Sequence, residues 1–211
     1  MAVFIGINHA LVVEGVIIKK LGISNLYSYS LRIISAFIVA YATSIMPESW
    51  FSASSIVVSA FEAKSYDSFI HLLQSSVTNA SILAIKVILL VTILIFIMDF
   101  IKSLKFIQES QKNVSKGFSL GVGYILGITY GAGILINEAK SGSMSKADIF
   151  YVSTFLMIAH AVIEDTLLFV IFGADFTMAI IIRTIAAIII SYILLKVYEY
   201  KQNKNVNTYN I

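Results

Sequence analysis

The stretch from residue 78 to 101 constrains the fold more than any other part of the sequence, because it is as apolar as a bilayer interior. It contains the run ILAIKVILLVTILIFIMDF, and a helix needs roughly 20 apolar residues to cross the hydrocarbon core. Over all 211 residues, 58% are hydrophobic and 13% are charged, against about 45–50% and about 25% in soluble domains. The sequence therefore predicts an all-α protein that crosses a membrane several times.

Four other segments have a similar length and apolar character. We predict spans at 1–18, 30–46, 147–172 and 177–196. The first differs from an export signal because its basic residues, Lys19 and Lys20, follow the apolar stretch instead of preceding it. Residues 47–75 are mixed and are predicted to be interfacial, with Trp50 at the headgroup level. A polar loop at 102–116 follows the third span.

The sequence also contains an internal repeat. Shifting it by 151 residues aligns 7–41 with 158–192, so that INHALVVEG lies over IAHAVIEDT and LRIISAFIVAY over IRTIAAIIISY. The informative matches are His9/His160, Gly22/Gly173, Arg32/Arg183 and the exchange Glu14/Asp165. His and Arg are costly in lipid, so their recurrence at one offset favours a repeated unit over a chance alignment of apolar hairpins.

The repeat divides the chain into four regions. A first, truncated half occupies 1–46, and a connecting region with an interfacial segment, a span and a loop occupies 47–116. The second half occupies 117–200, and the polar tail at 201–211 is predicted to be disordered.

Residues 117–146 are rich in glycine and predict either a sixth span or a re-entrant hairpin. A hairpin would have its tip at Tyr130, Gly131 and Gly133. If the segment crosses, the lysines outside the spans divide six against six; if it re-enters, they divide eleven against one. Lys and Arg accumulate in cytoplasmic loops, so we prefer five crossings plus a hairpin. The C-terminus is then cytoplasmic, and the two halves form an inverted repeat like those of secondary transporters.

Ionisable residues within spans are candidate functional residues. On a continuous helix, His160 and Glu164 share one face and Asp165 lies about 100° round. Imidazole with carboxylate suits a divalent metal, a proton relay or a polar substrate, and a buried polar network between helices is the alternative. His9 and Glu14 are the corresponding residues of the first half.

For each of the other polar residues in or near the spans, the sequence leaves two placements open. Arg32 and Arg183 either snorkel to the interface or pair with carboxylates, Arg32 with Glu14 and Arg183 with Asp165 or Glu164. Asn137 and Glu138, on the return arm of the hairpin, either point into a cavity or reach the headgroups.

Several classes of function are excluded or disfavoured. The chain has no cysteine, which excludes disulfides, thiolate metal sites and a cysteine nucleophile. It has no charge block for nucleic acid and no Walker motif, Ser-His-Asp order or metalloprotease helix. We therefore expect no enzymatic activity and no cofactor; a membrane hydrolase using His160 and Asp165 would lack a nucleophile motif.

One stretch of the second half resembles the nucleoside-recognition, or Gate, domain family: YGAGILINEAKSGSMSKADIFYVSTFLMIAHAVIEDTLLFVIFG. A stretch of the first half is similar to the matching helix of the other half of that domain: INHALVVEGVIIKKLG. The family includes concentrative nucleoside transporters, the membrane part of B-type ferrous-iron transporters, and spore-maturation A/B-like proteins. The resemblance implies a site between the hairpin and the helices of His9 and His160. The Gln, Glu and Pro of the nucleoside transporters' hairpin and the iron transporters' cysteines are missing.

These observations together predict a multi-pass protein of the cell membrane. We expect a transporter, or a transporter subunit, for a small nucleoside-like polar solute or a divalent cation; a non-transporting scaffold or signalling protein is the alternative. The first half starts directly in its His-bearing helix, so we also expect a second copy of this chain or another membrane chain to supply the missing hairpin.

Overall fold

The computed structural model describes residues 1–51, 66, 68–103, 116–170 and 172–209, and the regular structure of these residues is helical. The helices are α1 (Ala2–Asn8), α2 (Leu11–Lys20), α3 (Asn25–Ser44), α4 (Phe69–Ser103), α5 (Lys116–Leu126), α6 (Ile128–Ser141), α7 (Lys146–Ile158), α8 (Val162–Val170) and α9 (Phe176–Tyr209), with a short 3-10 helix at Glu48–Trp50.

The helices include the predicted membrane spans. Four are long and apolar enough to cross a bilayer: Asn25–Ser44, Phe69–Ile97, Lys146–Val170 and Phe176–Lys204. The pair α1 and α2, bent by 44° at its break, makes a fifth when the two helices are counted as one span. The prediction of about five spans is confirmed.

The repeat is visible in the backbone. In each half a broken helix is followed by a glycine turn and a long helix, as α1-α2-α3 and as α7-α8-α9. The turns use Gly22 at φ +84° and Gly173 at φ +83°, a left-handed conformation that favours glycine. The breaks use Ala10 at φ 53° and Ala161 at φ 43°. The two glycines are 151 residues apart, and so are the two alanines.

The breaks change the geometry expected from sequence. An alanine in the left-handed region costs roughly 1–2 kcal/mol. For that reason the sequence alone predicts a continuous helix through both alanines. Ala161 separates His160 from the start of α8 at Val162. The predicted shared face of His160 and Glu164 is therefore wrong, because an i,i+4 relation exists only along an unbroken helix.

The glycine-rich segment folds as two helices, α5 and α6, that contact each other and are joined at Gly127. The chain turns at Gly127, whereas we predicted a tip at Tyr130, Gly131 and Gly133, which lie inside α6. Gly127 has φ +90° and ψ 161°, a combination essentially restricted to glycine.

The turn is anchored on the break of the second half. The Gly123 carbonyl accepts a hydrogen bond from the Ala161 N–H at 3.4 Å. A Cβ on Gly123 would lie 2.5 Å from the side chain of Leu156, so α5 packs closely on α7. The segment is thereby placed directly against the broken helix.

Two predicted regions differ or lie outside the described residues. The tail expected to be disordered from residue 201 continues α9 as far as Tyr209, because it lacks Pro and Gly and each helical residue adds one hydrogen bond. Residues 52–65 of the predicted interfacial segment and residues 104–115 of the predicted loop are outside the part of the chain that the structure describes.

Gly127→Ala should destabilise the protein by about 1–3 kcal/mol, because alanine must enter the glycine-only region with its Cβ 3.3 Å from that of Ala161. Gly133→Ala is the matched control. A Cβ there meets nothing within 4 Å, so the helical propensity of alanine should leave stability unchanged or raised by up to about 1 kcal/mol. Thermal unfolding in detergent compares the two, and equal shifts would contradict a turn at Gly127.

Candidate functional site

The two helix breaks meet in the interior. The imidazole rings of His9 and His160 stack with centroids 5.0 Å apart and an interplanar angle of 27°. His160 is 1% exposed, whereas the His9 side chain is 33% exposed. The break residues thus bring one histidine from each half to a common point.

Each histidine faces a carboxylate from the other half. His9 Nε2 lies 3.1 Å from Asp165 Oδ1, and His160 Nε2 lies 2.9 Å from Glu14 Oε1. Because Asp165 is the counterpart of Glu14 at the 151-residue offset, the two contacts exchange under an approximate two-fold relation. The halves are therefore connected by crossed His–carboxylate contacts.

Each carboxylate uses its second oxygen within its own half. Glu14 Oε2 accepts a hydrogen bond from Arg32 Nη1 at 2.5 Å, and Asp165 Oδ2 accepts one from Arg183 Nη2 at 3.1 Å. Both arginines are buried, at 0% and 1% exposure. Of the two alternatives drawn from sequence, the structure has the ion-paired one.

The arginines also satisfy the carbonyls that the breaks expose. The last carbonyls of a helix have no intrahelical partner, and unsatisfied carbonyls are costly in a membrane. Arg32 donates from Nε to the Ile7 carbonyl at 2.8 Å and from Nη2 to the His9 carbonyl at 2.6 Å.

Arg183 performs the same task at the second break, and reaches the first. Its Nη2 donates to the His160 carbonyl at 3.2 Å and to the Gly6 carbonyl at 2.8 Å. A Cβ on Gly6 would lie 3.1 Å from Arg183 Nη1, so glycine permits this approach. Arg183 therefore joins the halves through the backbone as well as through Asp165.

The hydrogen bonds of the histidines fix which nitrogen is available. His9 Nδ1 lies 3.0 Å from the Gly6 carbonyl and His160 Nδ1 lies 2.8 Å from the Leu156 carbonyl. A carbonyl only accepts, so each Nδ1 donates, and Nε2 of a neutral imidazole then carries a lone pair. This lone pair faces a carboxylate oxygen that also carries lone pairs, so the two atoms repel each other. A proton or another cation between Nε2 and the carboxylate removes that repulsion.

The other predicted site residues, Glu164, Asn137 and Glu138, lie outside the cluster formed by the two histidines and Asp165. Among the described residues, the metal-ligating groups that come within 4.8 Å of one another are His9, His160 and Asp165. Asp165 rather than Glu164 thus joins the histidines, and Glu164 is only partly buried on α8. On α6, Asn137 is exposed and Glu138 is buried, and neither belongs to that group.

Sequence reasoning missed the backbone part of the site. The carbonyls of Gly6, Ile7 and His160 are arginine ligands, and they become available only where the helices break. The one sequence signal for the break is the identical His-Ala pair at 9–10 and 160–161, which in a continuous helix has no special meaning.

Arg32→Met should destabilise the protein by about 3–5 kcal/mol, because Glu14 is left buried without its arginine partner. Adding Glu14→Gln removes that charge and should recover part of the loss. Adding Asp165→Asn, the equivalent change in the other half, should lower stability further because Asp165 pairs with Arg183. Thermal unfolding in detergent measures all three, and recovery by Asp165→Asn instead of Glu14→Gln would contradict the pairing.

Comparison with known proteins gives one relative. No family model matches the chain, and no solved structure matches it. The chain is 24% identical over 202 residues to a Bacillus subtilis (strain 168) protein described as "Uncharacterized membrane protein YvoD". The match covers 90% of this chain and 65% of the relative, so the chain spans less than two thirds of the relative's length. This likeness and the long apolar helices make the chain a multi-pass helical membrane protein.

Proposed function

We propose that the chain is a membrane transporter, or the membrane subunit of one, that moves a small polar solute or a divalent cation past the crossed His–carboxylate contacts. The observation that carries this proposal is the meeting of two broken helices at His9 and His160, each facing a carboxylate of the other half. Ionisable groups are rare inside membrane spans and mark ion and substrate paths.

Broken helices support the same proposal. In secondary transporters, discontinuous helices from two repeats expose backbone groups and line a site near the middle of the membrane. Here the breaks at Ala10 and Ala161 come from the two copies of one repeat. Alternating access would open the crossed contacts on one side at a time, beginning with the more exposed His9.

The Gate resemblance belongs to this proposal. Its support is the arrangement of a glycine-rich helix pair, α5 and α6, directly before the second broken helix. In this proposal the protein lies in the cell membrane with a cytoplasmic C-terminus, as the lysine distribution favours, and works with a second copy or another membrane chain.

One observation favours the scaffold alternative. Two arginines balance two carboxylates, and all four side chains are buried. A balanced buried network is also what two halves need in order to stay in register. In a scaffold, substitutions in the network lower stability and change no flux.

Purified protein in proteoliposomes should take up at least one member of a panel of nucleosides and divalent cations. Asp165→Asn and His160→Gln should abolish uptake, because each removes one side of a crossed contact. Glu164→Gln, the same change of charge at the neighbouring residue, should retain it.

Uptake of no panel member by protein that is folded and correctly inserted would contradict transport. If Asp165→Asn and His160→Gln then only lower the unfolding temperature, the scaffold is supported instead. Loss of uptake in Glu164→Gln with retention in Asp165→Asn would contradict the assignment of the site.

A further inference from the structure

We infer that His9, His160 and Asp165 bind one divalent transition-metal cation, beside the carboxylate of Glu14, which contacts His160. The inference deepens the proposed function, on which it rests, by naming the substrate class of the same site. It depends on the spacing of the ligating atoms, on the lone pair of His160 Nε2 and on the groups that orient each ligand.

The ligating atoms are close to the spacing that a metal needs. One nitrogen of each histidine and one oxygen of Asp165 lie within 4.8 Å of one another. Metal–ligand bonds of about 2.0–2.2 Å place two ligands of a tetrahedral ion roughly 3.4 Å apart. The contact of His9 Nε2 with Asp165 Oδ1 is already 3.1 Å, so the other ligand distances, which are at most 4.8 Å, must shorten by up to about 1.4 Å to close the set.

His160 Nε2 is a buried ligand atom that faces a carboxylate. It lies 2.9 Å from Glu14 Oε1, a distance at which a protonated imidazole forms an ion pair with the carboxylate. With Nδ1 donating to the Leu156 carbonyl, the lone pair of Nε2 points at an oxygen that also carries lone pairs. A proton or a metal ion bound to Nε2 removes the repulsion between these lone pairs, and the Co²⁺ titration below distinguishes the two.

The outer partners are of the kind that metal sites use. Metal-binding histidines donate the other ring nitrogen to a carbonyl or carboxylate, and metal-binding carboxylates are themselves hydrogen-bonded. Here both Nδ1 atoms donate to backbone carbonyls. Arg32 and Arg183 hold one oxygen of Glu14 and Asp165 and leave the other directed at a histidine.

The donor set selects the class of cation. Two imidazole nitrogens with carboxylate oxygens suit Zn²⁺, Fe²⁺, Co²⁺ or Mn²⁺ better than Ca²⁺ or Mg²⁺, which prefer oxygen alone. The arginines already neutralise the carboxylates, and this lowers the affinity of the site for a cation. Moderate affinity is what a transported ion requires, because it must enter and leave.

The proposed ligands differ in exposure. The His9 side chain is 33% exposed, while those of Glu14 and Asp165 are 6% and 10% exposed. His9 is therefore the ligand nearest the surface of the protein.

Titration of metal-free full-length protein in detergent with Co²⁺ tests the inference. One equivalent should produce the intense visible absorption of low-coordinate Co²⁺, and Zn²⁺ should remove it. His9→Gln and Asp165→Asn should weaken binding by more than the roughly 10–100-fold that loss of an outer partner causes. Glu164→Gln should bind like the unchanged protein.

The outcomes separate the inference from the proposed function. Folded protein that gives no Co²⁺ signal, or a signal that His9→Gln and Asp165→Asn leave unchanged, would overturn the metal site. His9 is the most exposed of the ligands, so His9→Gln keeps the test valid if the buried variant fails to fold. Co²⁺ binding without uptake would contradict transport alone; uptake of a nucleoside without Co²⁺ binding would contradict the metal site alone.

Discussion

A helix that breaks at membrane depth exposes carbonyls that lipid cannot satisfy, and the rest of this structure depends on how they are satisfied. Arg32 and Arg183 enter the interior to bond the carbonyls at the breaks. Buried arginines need carboxylates nearby, and Glu14 and Asp165 supply them. Each carboxylate then has a second oxygen, which the histidine of the other half contacts. The break, the ion pair and the crossed contact thus form one linked set.

This linkage bears on the proposed transport function. Because the histidine of one half contacts the carboxylate of the other, any cation taken up or released between them changes the contact between the halves. In the proposed transport function, opening of the crossed contacts would supply the second arrangement that alternating access needs. The same linkage explains why substitutions at His160 or Asp165 are expected to affect both stability and flux, and why flux must be measured alongside stability.

Much of this arrangement could be predicted from the sequence. Apolar length gave the spans, and the offset of 151 residues identified His9 with His160 and Arg32 with Arg183. The sequence did not reveal that Ala10 and Ala161 are left-handed, because alanine is the best helix former and only tertiary contacts hold it there. For that reason Glu164 was grouped with His160. The turn at Gly127 was missed among several glycines, since its position depends on contact with Ala161.

A double-mutant cycle in thermal unfolding tests the crossed contacts most directly. His9→Gln and Asp165→Asn should be strongly non-additive, because residues in contact couple by about 0.5–3 kcal/mol. His9→Gln with Glu14→Gln, the carboxylate of the same half, should be closer to additive. Larger coupling between His9 and Glu14 than between His9 and Asp165 would contradict the crossed arrangement.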